Sequence, residues 1–262
     1  MRVTMKLKYS IMIKLFAVNL IIPLIIGATI REQLVGFFNP NIDLSISARL
    51  AFSIRPLTYY VVLFASFLAF YVIWRMLKPL FNFLDTGIED PKARKAALQI
   101  PWFLIILHMV LWLLGVTVVY AFVYKWDSPG GTAYFPSLMN SMAAGLITGI
   151  MGALAINNIL LPAKMKLRMT EVWEGERDLF LKYKHYLIAL AMVWNFTVFL
   201  YHVGDFYWKV DPVSMGYPSI GWSMFWVAFI LTAYFVIMLY LARKEDLYQL
   251  NSVESRLQEL NT

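Results

Sequence analysis

The 262-residue chain has no cysteine, which excludes disulfide scaffolds, thiolate metal sites, iron–sulfur clusters and cysteine nucleophiles. Histidine is nearly as scarce, with three in all, and no His-x-x-Glu-His or Glu-x-x-His spacing occurs. A glycine-rich phosphate loop is also missing. Charged residues make up 15% of the chain, against roughly 25% in an ordinary soluble domain. None of the apolar stretches contains a paired carboxylate. These absences leave no expected catalytic residue, metal site or cofactor. What replaces charge is apolar surface, at 60% of residues. Such a composition belongs to a membrane protein, with the lipid bilayer as its first partner.

Six apolar stretches are long enough to cross a bilayer, which takes about 20 residues at 1.5 Å rise. They lie near 10–30, 57–77, 101–123, 142–161, 185–203 and 221–242. The net charge of +7 would suggest nucleic acid in a soluble protein, but here it follows the spans. Seventeen Lys and Arg fall at the amino terminus, in the second and fourth loops and after the last span. Only Arg31, Arg49, Arg55, Lys125 and Lys209 fall in the other loops, and Lys14 lies inside the first span, close enough to its end to snorkel. Basic loops stay in the cytoplasm, so both termini are expected there and no nucleic-acid partner is. The first span is preceded by Arg2, Lys6 and Lys8 in the manner of a signal peptide, but its apolar run is too long for one. We read it as an uncleaved anchor.

The expected fold is therefore all-α and polytopic: a transmembrane domain over 1–242 and a cytoplasmic helical tail over 243–262. The second, fourth and sixth spans end on similar basic exits, Leu77-Lys78-Pro79-Leu80, Leu161-Pro162-Ala163-Lys164 and Leu241-Ala242-Arg243-Lys244. Their likeness suggests three hairpins repeated in parallel. Asn39-Pro40-Asn41 reads as a turn, and 42–52 fits an interfacial helix. Two shorter outer loops carry Trp126, Tyr134, Phe206, Tyr207 and Trp208, which either line a shallow ligand pocket or form an interfacial aromatic belt.

Polar groups inside the spans are costly and so are functional candidates. Asn19, Asn157, Asn158 and Asn195 are such groups, readable as glue between helices or as ligand contacts. His108 and His202 are expected at different depths, which disfavours a haem pair. In the fourth span Gly145 and Gly149 form one row of small residues, with Gly152 in a second row beside it. Spacing by four puts such a row on one helix face, where another backbone can approach closely, in a bundle core or at a dimer contact.

After the sixth span, Leu250, Val253, Leu257 and Leu260 make an a/d seam over two heptads, with no Gly or Pro separating it from the membrane. A seam of this kind predicts a homodimer through the tail, the alternative being an amphipathic tail resting on the membrane. The pattern reaches Thr262 without a terminator, as expected of the membrane part of a longer protein with a cytoplasmic output domain.

Arg75-Met76-Leu77-Lys78-Pro79-Leu80, followed by Leu84, is similar to the start of a HAMP linker helix. With the six spans and the helical tail, the layout resembles the membrane region of bacterial multi-span signalling proteins, such as membrane-anchored class III adenylate cyclases and chemoreceptor-like proteins. The chain departs from a HAMP domain by returning to the bilayer at Pro101, and it carries no cyclase motif. The resemblance implies a bacterial inner-membrane sensory or regulatory module whose sixth helix passes a signal to a cytoplasmic output. The competing expectations are a small-molecule transporter or channel subunit, with its path near the asparagines, and an accessory subunit of a larger complex.

Overall fold

A computed structural model of the chain describes residues 2–26, 44–88, 90–122, 134–167, 179–209 and 220–260. Six helices account for nearly all of them: α1 (Arg2–Ile26), α2 (Leu44–Thr86), α3 (Pro91–Phe122), α4 (Tyr134–Lys166), α5 (Leu179–Lys209) and α6 (Ile220–Leu260). Each contains a window apolar and long enough to cross a bilayer. The protein is an all-α, polytopic membrane protein.

The helices outrun the apolar stretches that define them. In α3 the helix starts ten residues before Pro101, which sits buried in its interior, and Pro23 and Pro162 are likewise internal to α1 and α4. A proline there removes one intrahelical hydrogen bond, a loss that neighbouring helices can offset in a membrane bundle. The second helix also differs from expectation, since the interfacial segment predicted at 42–52 belongs from Leu44 onward to one helix that continues through Pro79 to Thr86.

Local chemistry sets the turn from α2 to α3. Gly87 takes a left-handed φ of 73°, and its N–H closes on the Phe83 carbonyl at 2.8 Å. Glycine adopts that conformation without a Cβ clash. Asp90 then caps α3, its Oδ1 accepting from the Lys92 N–H at 2.8 Å, with Pro91 at the first helical position where no N–H is needed.

Helices consecutive in the chain run antiparallel. Lys8 of α1 pairs with Asp85 of α2, so the start of α1 and the end of α2 share one end of the bundle, here termed proximal. A side chain at Gly145 would meet Met109 of α3, and one at Gly149 would meet Ile105, so α4 runs against α3. Lys184 of α5 meets Glu245 of α6, which places the end of α4, the start of α5 and the exit of α6 proximally as well.

Helix α4 is the axis of the molecule. It touches α1, α3, α5 and α6, and 78% of its spanning window is buried, against 28–39% in the other five. The core gathers Ile147, Ile150, Leu154 and Leu160 of α4 with Leu77, Leu104, Phe180 and Met238 from the helices around it. Apolar residues also cover the outside. On α2, Phe64, Phe67, Tyr71 and Trp74 point away from the core. An apolar exterior this extensive needs lipid around it.

Candidate functional site

Three helices converge at the proximal end on a cluster of charged side chains enclosed by the bundle. On α5, buried residues recur at spacings of three and four: Phe180, Lys184, Ile188, Ala191, Asn195, Val198 and His202. The buried face of α6 follows the same rule through Val227, Leu231, Tyr234, Met238, Ala242 and Glu245. Helical periodicity thus carries Lys184 and Glu245 into the same interior that the apolar residues occupy. Glu245 is 0% exposed and Lys184 1%.

The ammonium of Lys184 donates to Glu245 Oε2 at 3.1 Å, to Asp246 Oδ1 at 2.6 Å and to the Ala242 carbonyl at 3.2 Å. Its three donors therefore all meet acceptors on α6. The other oxygen of Glu245, Oε1, accepts from Asn157 Nδ2 of α4. Asn157 Oδ1 in turn accepts from Lys164 Nζ at 2.5 Å, and both of these α4 side chains are buried. One residue further along α4, Asn158 donates to the Leu241 carbonyl of α6 at 3.0 Å. At the water-facing edge His185 Nε2 lies 3.3 Å from Asp246 Oδ2, with both side chains about half exposed.

The cluster balances two lysines against two carboxylates, and this balance makes it tolerable away from water. An ion enclosed alone costs several kcal/mol, and good geometry with saturated hydrogen bonds is what offsets that cost. The same property makes it a mechanical joint, because neither Lys184 nor Glu245 can leave without stranding the other's enclosed charge.

Several predicted site residues lie elsewhere. Asn195 is buried on α5 and donates to the Ala191 carbonyl and, at 3.4 Å, to the Ala143 carbonyl of α4. Asn157 and the α4 position met by Asn195 are separated by about 20 Å along the helix. Asn19 on α1 donates to its own Leu15 carbonyl. The asparagines thus do not gather at one depth. His108 packs beside Gly152 while His202 lies 2.9 Å from Asn140, two points of α4 about 18 Å apart.

The described members of the aromatic set lie on helices rather than on loops. Tyr134 begins α4, its hydroxyl 3.2 Å from Thr117 Oγ1 of α3, and Phe206, Tyr207 and Trp208 belong by backbone to the last turns of α5. Trp126 lies outside the described residues. The glycines of α4 face α3: a Cβ on Gly149 would stand 2.9 Å from the Ile105 Cα, one on Gly145 3.2 Å from the Met109 Cα, and one on Gly152 3.8 Å from His108 Nε2. Of the tail seam, Leu250 is 62% exposed, and Val253, Leu257 and Leu260 continue the same helix.

Sequence reasoning missed the members of the cluster other than the asparagines. Lys164 and Lys184 counted as loop charges, and Glu245 lay beyond the expected end of the sixth span at 242. Packing of α6 against α5 reaches Asp246. The signal that finds these residues is the three-and-four spacing of the buried faces, followed past the apolar run.

Among the described residues, fold and cluster define a membrane protein of six helices with an enclosed ionic joint where α6 leaves the bundle. No protein-family model, curated protein or solved structure matches the chain.

Proposed function

We propose that the protein is a sensory or regulatory membrane module, in which a change of state in the spanning bundle is relayed through α6 to a helical extension on the cytoplasmic side. One observation carries this reading. The helix is unbroken from Ile220 to Leu260, and α4 and α5 grip it at Leu241, Ala242, Glu245 and Asp246, where it leaves the bundle. Residues 248–260, which follow the spanning window, add about 20 Å of helix beyond that grip. A rigid rod held at its base turns a small displacement there into movement at its far end.

The cytoplasmic placement of both termini follows from the distribution of basic residues, and the bacterial inner membrane from the layout described above. A second copy of the chain is the partner for Leu250, Val253, Leu257 and Leu260. Two heptads are too short to hold a coiled coil in water unaided. Pairing would depend on the spans to raise the local concentration of tails, so a rearranged bundle would shift a marginal equilibrium. The transporter reading requires Asn19, Asn157 and Asn195 to share a passage, and the depth difference between Asn157 and Asn195 favours the relay instead.

The test is disulfide crosslinking in native membranes, made simple by the lack of native cysteine. Single cysteines at positions 250, 253, 257 and 260 should crosslink between copies more readily than those at 251, 255 and 258. A flat profile, or a strictly monomeric protein, would overturn the relay.

A further inference from the structure

The basic exit of α2 takes no part in the grip on α6. Exposed residues of this helix recur at spacings of three and four, through Phe64, Phe67, Tyr71 and Trp74 to Lys78, with Leu68 and Arg75 beside them. That spacing places them on one helix face, and the opposite face, with Ala69, Ile73, Leu77 and Leu80, is buried. Along the outer face the chemistry changes in order. Apolar side chains at Phe64, Phe67 and Leu68 give way to the neighbouring rings of Tyr71 and Trp74, whose centroids are 6.3 Å apart, and these to two cations. Phe64 and Arg75 are separated by about 16 Å of helix, which matches one leaflet of a hydrocarbon core about 30 Å thick.

The cations of this face are uncompensated by protein. Neither Arg75 nor Lys78 has an ion-pair partner among the described residues. The one acid of α2, Asp85, lies seven residues beyond Lys78 and is paired with Lys8 of α1. Arg243 and Lys244 on α6 are exposed as well, but there Asp246 follows within a turn. Three residues apart on one face, Arg75 and Lys78 are close enough to reach a single phosphate. A guanidinium offers that group two parallel N–H donors, and an ammonium adds a point charge. Tyr and Trp settle at headgroup level because one end of each ring system is apolar and the other polar.

We infer that this face of α2 binds an anionic phospholipid. Arg75 and Lys78 hold its phosphate, Tyr71 and Trp74 lie beside its glycerol backbone, and one acyl chain runs along Leu68, Phe67 and Phe64. The headgroup is net negative because a zwitterionic one would bring its own cation against two that no protein acid offsets. The site is independent of the tail and its pairing, and so of the relay.

Native mass spectrometry of the full chain, taken from vesicles of equal phosphatidylglycerol and phosphatidylcholine with matched acyl chains, tests this. The unsubstituted protein should retain phosphatidylglycerol over phosphatidylcholine by about tenfold, the scale set by two basic residues at an anionic surface. Arg75→Gln with Lys78→Gln should remove most of that preference. Arg243→Gln with Lys244→Gln, which loses the same charge, should keep it. All four side chains are exposed, so the core is untouched. Should the α2 double variant fail to fold, Lys78→Gln alone should lower the preference by about fivefold. Equal retention of the two lipids by the unsubstituted chain, or a preference unchanged by the α2 substitutions, would overturn the site. Equal losses in the two double variants would overturn it too, by reducing the effect to net charge. Displacement of the retained lipid by inorganic phosphate at constant ionic strength would mark a free-anion site and discard the lipid.

Discussion

Lys184 and Glu245 stand 3.1 Å apart with essentially no solvent access, a complete ion pair enclosed where α6 leaves the bundle. Its strength is conditional on both members. Glu245→Ala should destabilise the protein by about 3–5 kcal/mol, because the Lys184 ammonium is left enclosed with only the half-exposed Asp246 opposite it. Combining Lys184→Met with Glu245→Leu removes both ions and should recover much of that loss. Denaturant titration in detergent measures it. Additive losses in the double variant would show that the two side chains are not energetically coupled.

Asp246 offers a contrast on the same lysine. Its side chain is 43% exposed, so water screens the pair and can replace the lost contact. Asp246→Asn should therefore cost about 1 kcal/mol or less. A loss as large as that of Glu245→Ala would place Asp246 in a drier setting than its exposure indicates.

The glycines of α4 divide into two kinds. At Gly149 a Cβ would lie 2.9 Å from the Ile105 Cα, a backbone atom that moves only with the whole of α3. Gly149→Ala should cost about 1–3 kcal/mol in an overpacked contact. At Gly152 the nearest atom is 3.8 Å away, an ordinary van der Waals distance, so Gly152→Ala should leave thermal stability in detergent unchanged. The order of the two variants checks the packing.

At the distal end His202 and Asn140 are buried together at 2.9 Å and join α5 to α4. Asn140→Ala removes the amide from an enclosed imidazole nitrogen and should destabilise by about 1–3 kcal/mol. If chemical denaturation gave no change, the histidine would have a ready alternative partner.

Orientation is open to direct labelling. With both termini cytoplasmic, Ser128→Cys and Ser214→Cys should react with an impermeant maleimide in intact cells, and Ser252→Cys should react only after permeabilisation. The reverse pattern would invert the topology and place the α6 extension outside.

Much of the architecture was already legible as composition and run length. A chain with 60% apolar residues arranged in six long runs has to place them in lipid, and backbone groups in lipid are satisfied within helices, so an all-α bundle follows from local arithmetic. Run length was a poorer guide to helix ends, because apolarity reports where lipid contact ends and not where backbone hydrogen bonding does. Helix α3 shows this by starting at Pro91 instead of Pro101, with Asp90 as its cap.

The ionic joint depended on contacts far apart in the chain. In sequence, Lys164 and Lys184 are two members of a basic loop, and Glu245 is one acid in a polar tail. Their meaning arises when α5 packs antiparallel to both α4 and α6 and positions 157, 184 and 245 come together. Periodicity shows from the sequence which face of each helix turns inward, as the three-and-four spacing through Lys184 and Glu245 does. Which helix that face meets, and at what register, is decided by the shape and charge complementarity of whole faces, a property of the assembled bundle and of no single segment.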